Sequence, residues 1–70
     1  MEEYQVRVVL EKKALDQKAK ALSNFIGHNY LFEKLTAYEQ ELMKEQCETM
    51  WEYSEILGKR IELFSKKAGL

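Results

Sequence analysis

Seventy residues with 11 Lys and Arg against 12 Asp and Glu, one cysteine and one histidine exclude several classes of protein at once. So short a chain buries only about 60% of its unfolded surface and usually completes its core with a disulfide, a metal or oligomerisation. Cys47 alone allows no intrachain disulfide, and Cys47 with His28 is too few ligands for a structural zinc site, so self-association is the remedy left.

In chain order, the first predicted helix runs from Glu2 to Ile26, with Glu2 and Glu3 placed to favour the positive N-terminal end of its dipole. Gly27-His28-Asn29 is the breaker cluster inside a chain that has no proline. Residues 27–36 are read as a turn and a short helix, with Asn29 as its cap. Thr36-Ala37-Tyr38-Glu39 has capping-box spacing, which starts the second long helix at Ala37. That helix extends to Lys67, where Lys66 and Lys67 suit the negative end and Gly69 stops it. The expected fold class is all-α: a single domain over residues 1–70, a two-helix antiparallel hairpin that assembles as a homo-oligomer.

The helix faces say more. Met43, Cys47, Met50, Ser54, Leu57, Ile61 and Phe64 follow alternating four- and three-residue steps, a coiled-coil-like stripe. Beside it runs a mixed line of Leu42, Thr49, Tyr53, Ile56, Arg60 and Leu63. In the first helix Val8, Leu15 and Leu22 recur every seven residues, and the complementary line is Tyr4, Glu11, Lys18 and Phe25. Glu11 and Lys18 therefore fall where a plain hairpin would carry leucine. Two readings stand: both flank the interface with their charged ends in water, or the line borders a polar pocket between protomers.

Catalysis finds no support. His28 has no serine or acidic partner at a telling spacing, Cys47 sits on the apolar stripe as a small hydrophobe, and there is no glycine-rich phosphate loop. No cofactor and no metal are expected. Near-zero net charge argues against duplex nucleic acid. No segment is apolar enough to span a membrane, the acidic start is unlike a signal peptide, and an unpaired cysteine fits a reducing cytosol.

Binding of a small anion needs only a few focused cations. Lys12, Lys13, Lys20 and Lys59 read as solvation of amphipathic helices, whereas Tyr4, Arg7 and Lys18 form a more suggestive group. Tyr4 and Arg7 are one turn apart, but Lys18 is about 21 Å from Tyr4 at 1.5 Å per residue. They meet only across protomers, one helix antiparallel to its mate. An aromatic plane for a base and cations for phosphate are what a nucleotide site requires.

Three segments carry a resemblance to a known family: Tyr4-Gln5-x-Arg7-Val8-x-x-Glu11; Lys18 with Leu22-Ser23-x-Phe25-Ile26; and Met50-x-x-Tyr53-Ser54-x-Ile56-Leu57-x-x-Arg60-Ile61-x-x-Phe64. In order and over nearly the whole chain, they resemble the small phage hairpin proteins that include the anti-CBASS and anti-Thoeris sponges, which sequester cyclic nucleotide messengers of bacterial immunity. The resemblance implies a homohexamer of helical hairpins that binds cyclic dinucleotides, in some members cyclic trinucleotides at a separate site, without hydrolysis and in the host bacterial cytoplasm. It implies a base-stacking role for Tyr4 and a phosphate-holding role for Lys18, with Arg7 as the nearby arginine. Here Gln5 follows Tyr4, where the dinucleotide-binding branch has arginine, and the Tyr4–Lys18 spacing is one residue shorter. For a trinucleotide-type site the resemblance implies Arg60, with Tyr53 two turns earlier. The competing class is a structural or adaptor hairpin that binds a host or phage protein through Trp51, Tyr38, Tyr30 and Phe32.

Overall fold

The computed structural model describes residues 1–68, with side-chain surroundings as far as Ser65; the predicted stop at Gly69 and the side chains of Lys66 and Lys67 lie outside the described residues. Three helices follow in order: α1 (Glu3–His28), α2 (Tyr30–Glu33) and α3 (Ala37–Ala68). No strand occurs among the described residues.

Local chemistry sets the ends. The Gln5 side chain reaches back to accept a hydrogen bond from the Glu2 backbone N–H at 2.9 Å, holding the first turn of α1. Arg7 donates to Glu3 at 2.6 Å one turn earlier. α1 does not stop at Ile26 but runs on through Gly27 and His28. A single glycine inside a helix weakens it without breaking it, and no glycine among the described residues adopts a positive φ. The reversal begins at Asn29, whose backbone is extended (φ −101°, ψ 122°) and whose side chain accepts from the Leu31 N–H at 2.9 Å to open α2. Thr36 Oγ1 accepts from the Glu39 N–H at 3.1 Å and donates to its carboxylate at 3.0 Å, which starts α3. Gln40 then ties the connection down: its amide donates to the carbonyls of Phe32 and Leu35, each at 3.1 Å. The Phe32 carbonyl also accepts from the Leu35 N–H at 3.1 Å, so the Gln40 amide adds a second bond there and fixes the connection to the first turn of α3.

α1 and α3 pack antiparallel. Tyr4 meets Phe64 edge-on with ring centroids 5.7 Å apart, Val8 clusters with Leu57 and Phe64, and Cys47 Sγ lies 3.9 Å from the Ala19 carbonyl. At the closed end Phe25 and Phe32 meet at 6.2 Å. The α3 stripe is the seam: Cys47, Ser54, Leu57 and Phe64 are buried, and Met43, Met50 and Ile61 are half-buried. Leu57, packed with Val8 and Phe64, is 1% exposed, and Ala19, facing Cys47, is fully buried.

The face of α1 differs from the expected one. Val8, Leu15 and Leu22 do face α3, and Tyr4 and Phe25 reach Phe64 and Phe32 at its two ends, but between them the residues completing that face are Lys12, Asp16, Ala19 and Ile26. Glu11 and Lys18 are exposed and flank the seam. Phe32, which the competing adaptor reading would place on a contact surface for another protein, is buried under the turn. No helix among the described residues is long and apolar enough to cross a membrane.

Candidate functional site

The hairpin presents two flanks, one on either side of the seam. On the first, Lys12 lies along α3, its stem passing over Gly58. A Cβ there would stand 3.3 Å from Lys12 Cε. The Lys12 ammonium donates to Asp16 at 2.8 Å and to Ser54 Oγ at 2.9 Å, and the Ser54 hydroxyl donates in turn to the other oxygen of Asp16. Hydrogen bonds from Lys12 and then from Ser54 hold the Asp16 carboxyl below its ordinary value of 3.8. Each of the three groups has two partners in this closed triangle. Lys12, expected to be a solvated cation, is therefore a structural residue that spans both helices.

Two cues for the triangle stood in the sequence: Lys12 and Asp16 are four residues apart on one helix face, and a serine interrupts the apolar stripe. Trp51 stands on the same flank, in a shallow groove with Ser23, Ile26, Lys44 and Glu48.

The other flank carries every candidate ligand residue. Given 3.6 residues per turn and the seam contacts, Tyr4, Arg7 and Lys18 project from α1 on the side away from Lys12 and Asp16. Tyr53 and Arg60 project from α3 on that same side, away from Gly58 and Trp51. All five are exposed, Tyr4 by 53% and Tyr53 by 43%. Tyr53 borders a shallow groove with Leu42, Gln46 and Thr49.

Along the axis the five fall into two groups. Arg7 lies between Tyr4 and Val8, and Arg60 between Leu57 and Phe64; because those residues pair across the seam, the two arginines share one level near the open end. Lys18 adjoins Ala19, which faces Cys47, so it stands roughly 8 Å along the axis from Tyr53 and about 21 Å from Tyr4. One chain thus brings Tyr4, Arg7 and Arg60 together and does not bring Lys18 to them. Arg7 is held by Glu3. Within a single hairpin this is an open face with cations at two levels, Arg7 and Arg60 at one and Lys18 at the other.

Among the described residues no cluster of three His, Cys, Asp or Glu side chains is placed to hold a metal ion. The Sequestin family model matches residues 2–63 of the chain. No curated protein and no solved structure matches it.

Proposed function

The chain belongs to the Sequestin family, and from that premise and the family's name, which points to sequestering, we propose that it is a phage-encoded sponge that captures cyclic oligonucleotide immune signals in the host bacterial cytoplasm and holds them uncleaved. The family match over residues 2–63 is the observation that carries this reading. The flank bearing Tyr4, Arg7, Lys18, Tyr53 and Arg60 supports it: two aromatic planes and three cations on one side of the hairpin suit bases and phosphates. The ligand class is a cyclic dinucleotide, with cyclic trinucleotides and cyclic ADP-ribose variants as the other members to be tried. Because one hairpin leaves Lys18 far from Tyr4, the working unit is a homo-oligomer, a hexamer by resemblance.

Capture works by mass action. The sponge must bind more tightly than the host receptor and match the signal in amount; nanomolar affinity corresponds to roughly −12 kcal/mol. Charge-assisted hydrogen bonds and stacked bases on a preorganised helical surface are of the right strength to supply it. Calorimetry with a panel of cyclic di- and trinucleotides and cyclic ADP-ribose variants tests the proposal. Stoichiometric binding of one member, recovered intact after denaturation, is the expected result, and no binding to any member contradicts it.

The adaptor reading keeps one observation in its favour: Trp51, Tyr38 and Tyr30 are exposed. A monomeric protein that ignores every nucleotide and pulls down a single host protein would establish it instead.

A further inference from the structure

Val8, Leu15 and Leu22 would face α3 in either of two orientations of α1, because two different sets of residues complete their line. One set is Lys12, Asp16, Ala19 and Ile26; the other is Tyr4, Glu11, Lys18 and Phe25. At 3.6 residues per turn the two faces differ by a roll of roughly 60° about the axis of α1. Each set holds two apolar and two charged residues, so apolar burial alone does not select the first; the second, with two aromatic rings, has more area to bury. Yet the first is the one used. Ala19 is fully buried, Lys12 and Asp16 are half-buried, and Glu11 and Lys18 are exposed.

Pairing chemistry separates the two sets. Lys12 and Asp16 are one turn apart and bond each other at 2.8 Å. A single group on α3 serves both: the Ser54 hydroxyl accepts from Lys12 at 2.9 Å and donates to Asp16. Glu11 and Lys18 are seven residues apart, about 10 Å along the axis, too far to bond each other or to share one partner. Ser54 is only 4% exposed and interrupts an apolar stripe where leucine would bury more surface. Among the described residues no other side chain is hydrogen-bonded to a side chain across the seam.

We propose that Ser54 is a positioning residue for the exposed flank: by bonding Lys12 and Asp16 it fixes the roll of α1 that keeps Arg7 and Lys18 turned out of the seam. A buried polar group used in this way gives up some stability for a single arrangement. The choice of face is a property of the hairpin alone. Its consequence for binding rests on the proposed function, because the alternative roll carries Lys18 toward α3 and away from a phosphate in solution.

Nuclear Overhauser contacts in the full chain read the roll directly. Ala19 faces Cys47 in the observed orientation and turns away from it in the other. A roll of roughly 60° moves the Ala19 methyl by about 3 Å. Ser54→Leu is therefore expected to stay helical while weakening the Ala19–Cys47 contact by about tenfold, with contacts from the Lys18 stem to α3 in its place. Ser54→Thr keeps the hydroxyl and should retain the contact at wild-type strength. Lys12→Ala leaves the Ser54–Asp16 bond and should retain it too. If Ser54→Leu does not fold, Ser54→Ala decides, with an expected weakening of about threefold. An unchanged Ala19–Cys47 contact in folded Ser54→Leu, or in Ser54→Ala, would make Ser54 a stabilising residue only and overturn the proposal. Calorimetry of the same proteins with cyclic di- and trinucleotides should show Ser54→Leu losing about tenfold in affinity and Ser54→Thr losing none. A wild type that binds no cyclic nucleotide would contradict the ligand reading, while the Overhauser contacts would still decide the role of Ser54.

Discussion

Lys12 and Lys18 sit less than two turns apart on one helix, yet they belong to opposite flanks and have different fates. Lys12 is bound by Asp16 and Ser54, its stem laid over Gly58, so its charge is satisfied inside the chain. Lys18 is exposed and shares its flank with Tyr4, Arg7, Tyr53 and Arg60. On the proposed function, the contrast separates stability from recognition in a protein too small to devote many residues to each. A cation that crosses the seam holds the hairpin; a cation that flanks it is available for a ligand or a second copy. Position relative to the seam, not residue type, decides which.

The contrast can be broken from the seam itself. Leu57 is buried against Val8 and Phe64, so Leu57→Ala should destabilise the protein by about 2–5 kcal/mol, read by urea unfolding. Leu57→Asp should abolish the folded state and with it both flanks. A soluble, helical Leu57→Asp variant would refute the seam. Next in size is the triangle: Ser54→Ala removes the one member on α3 and should cost about 1–2 kcal/mol, leaving Lys12 and Asp16 as an ordinary pair within α1.

The pH dependence follows from Asp16 with its sign fixed by the direction of the shift. Its carboxyl is held below 3.8 when folded, so the folded state binds fewer protons than the unfolded one. The stabilisation is complete above the ordinary value and is lost as pH falls through the lowered folded value. Unfolding curves between neutral and strongly acidic pH should show this loss, and Ser54→Ala should make it shallower. Equal acid sensitivity in the two proteins would mean that the triangle does not form in solution. Smallest in stability terms is Lys18→Ala, a surface change expected to stay within about 0.5 kcal/mol.

Much of this was legible in the sequence, unevenly. The α3 stripe shows because its seam positions are mostly apolar at steps of three and four residues, and Thr36 shows because capping chemistry is local. The face of α1 was misphased because three of its seam positions, Lys12, Asp16 and Ala19, are charged or small. Periodicity of hydrophobes cannot register a position closed by an ion pair over a glycine or by alanine against cysteine. Gly27 invited a break that the helix does not make, since the reversal is carried by the extended backbone and side-chain bond of Asn29. The candidate ligand residues were legible as types, and their shared flank became visible only once the seam was placed. Their separation into two patches follows from the antiparallel register, which depends on contacts distant in sequence.

The most direct measurement is a paired one: Lys12→Ala and Lys18→Ala, each followed by urea unfolding and by calorimetry with whichever cyclic nucleotide the wild type binds. The account predicts opposite outcomes. Lys12→Ala should lower stability, with residual folded protein still binding. Lys18→Ala should keep wild-type stability and lose affinity by about ten- to a hundredfold, the strength of one or two charge-assisted hydrogen bonds. Lys18→Ala that unfolds the hairpin, or Lys12→Ala that abolishes binding at full stability, would contradict the division between the two flanks.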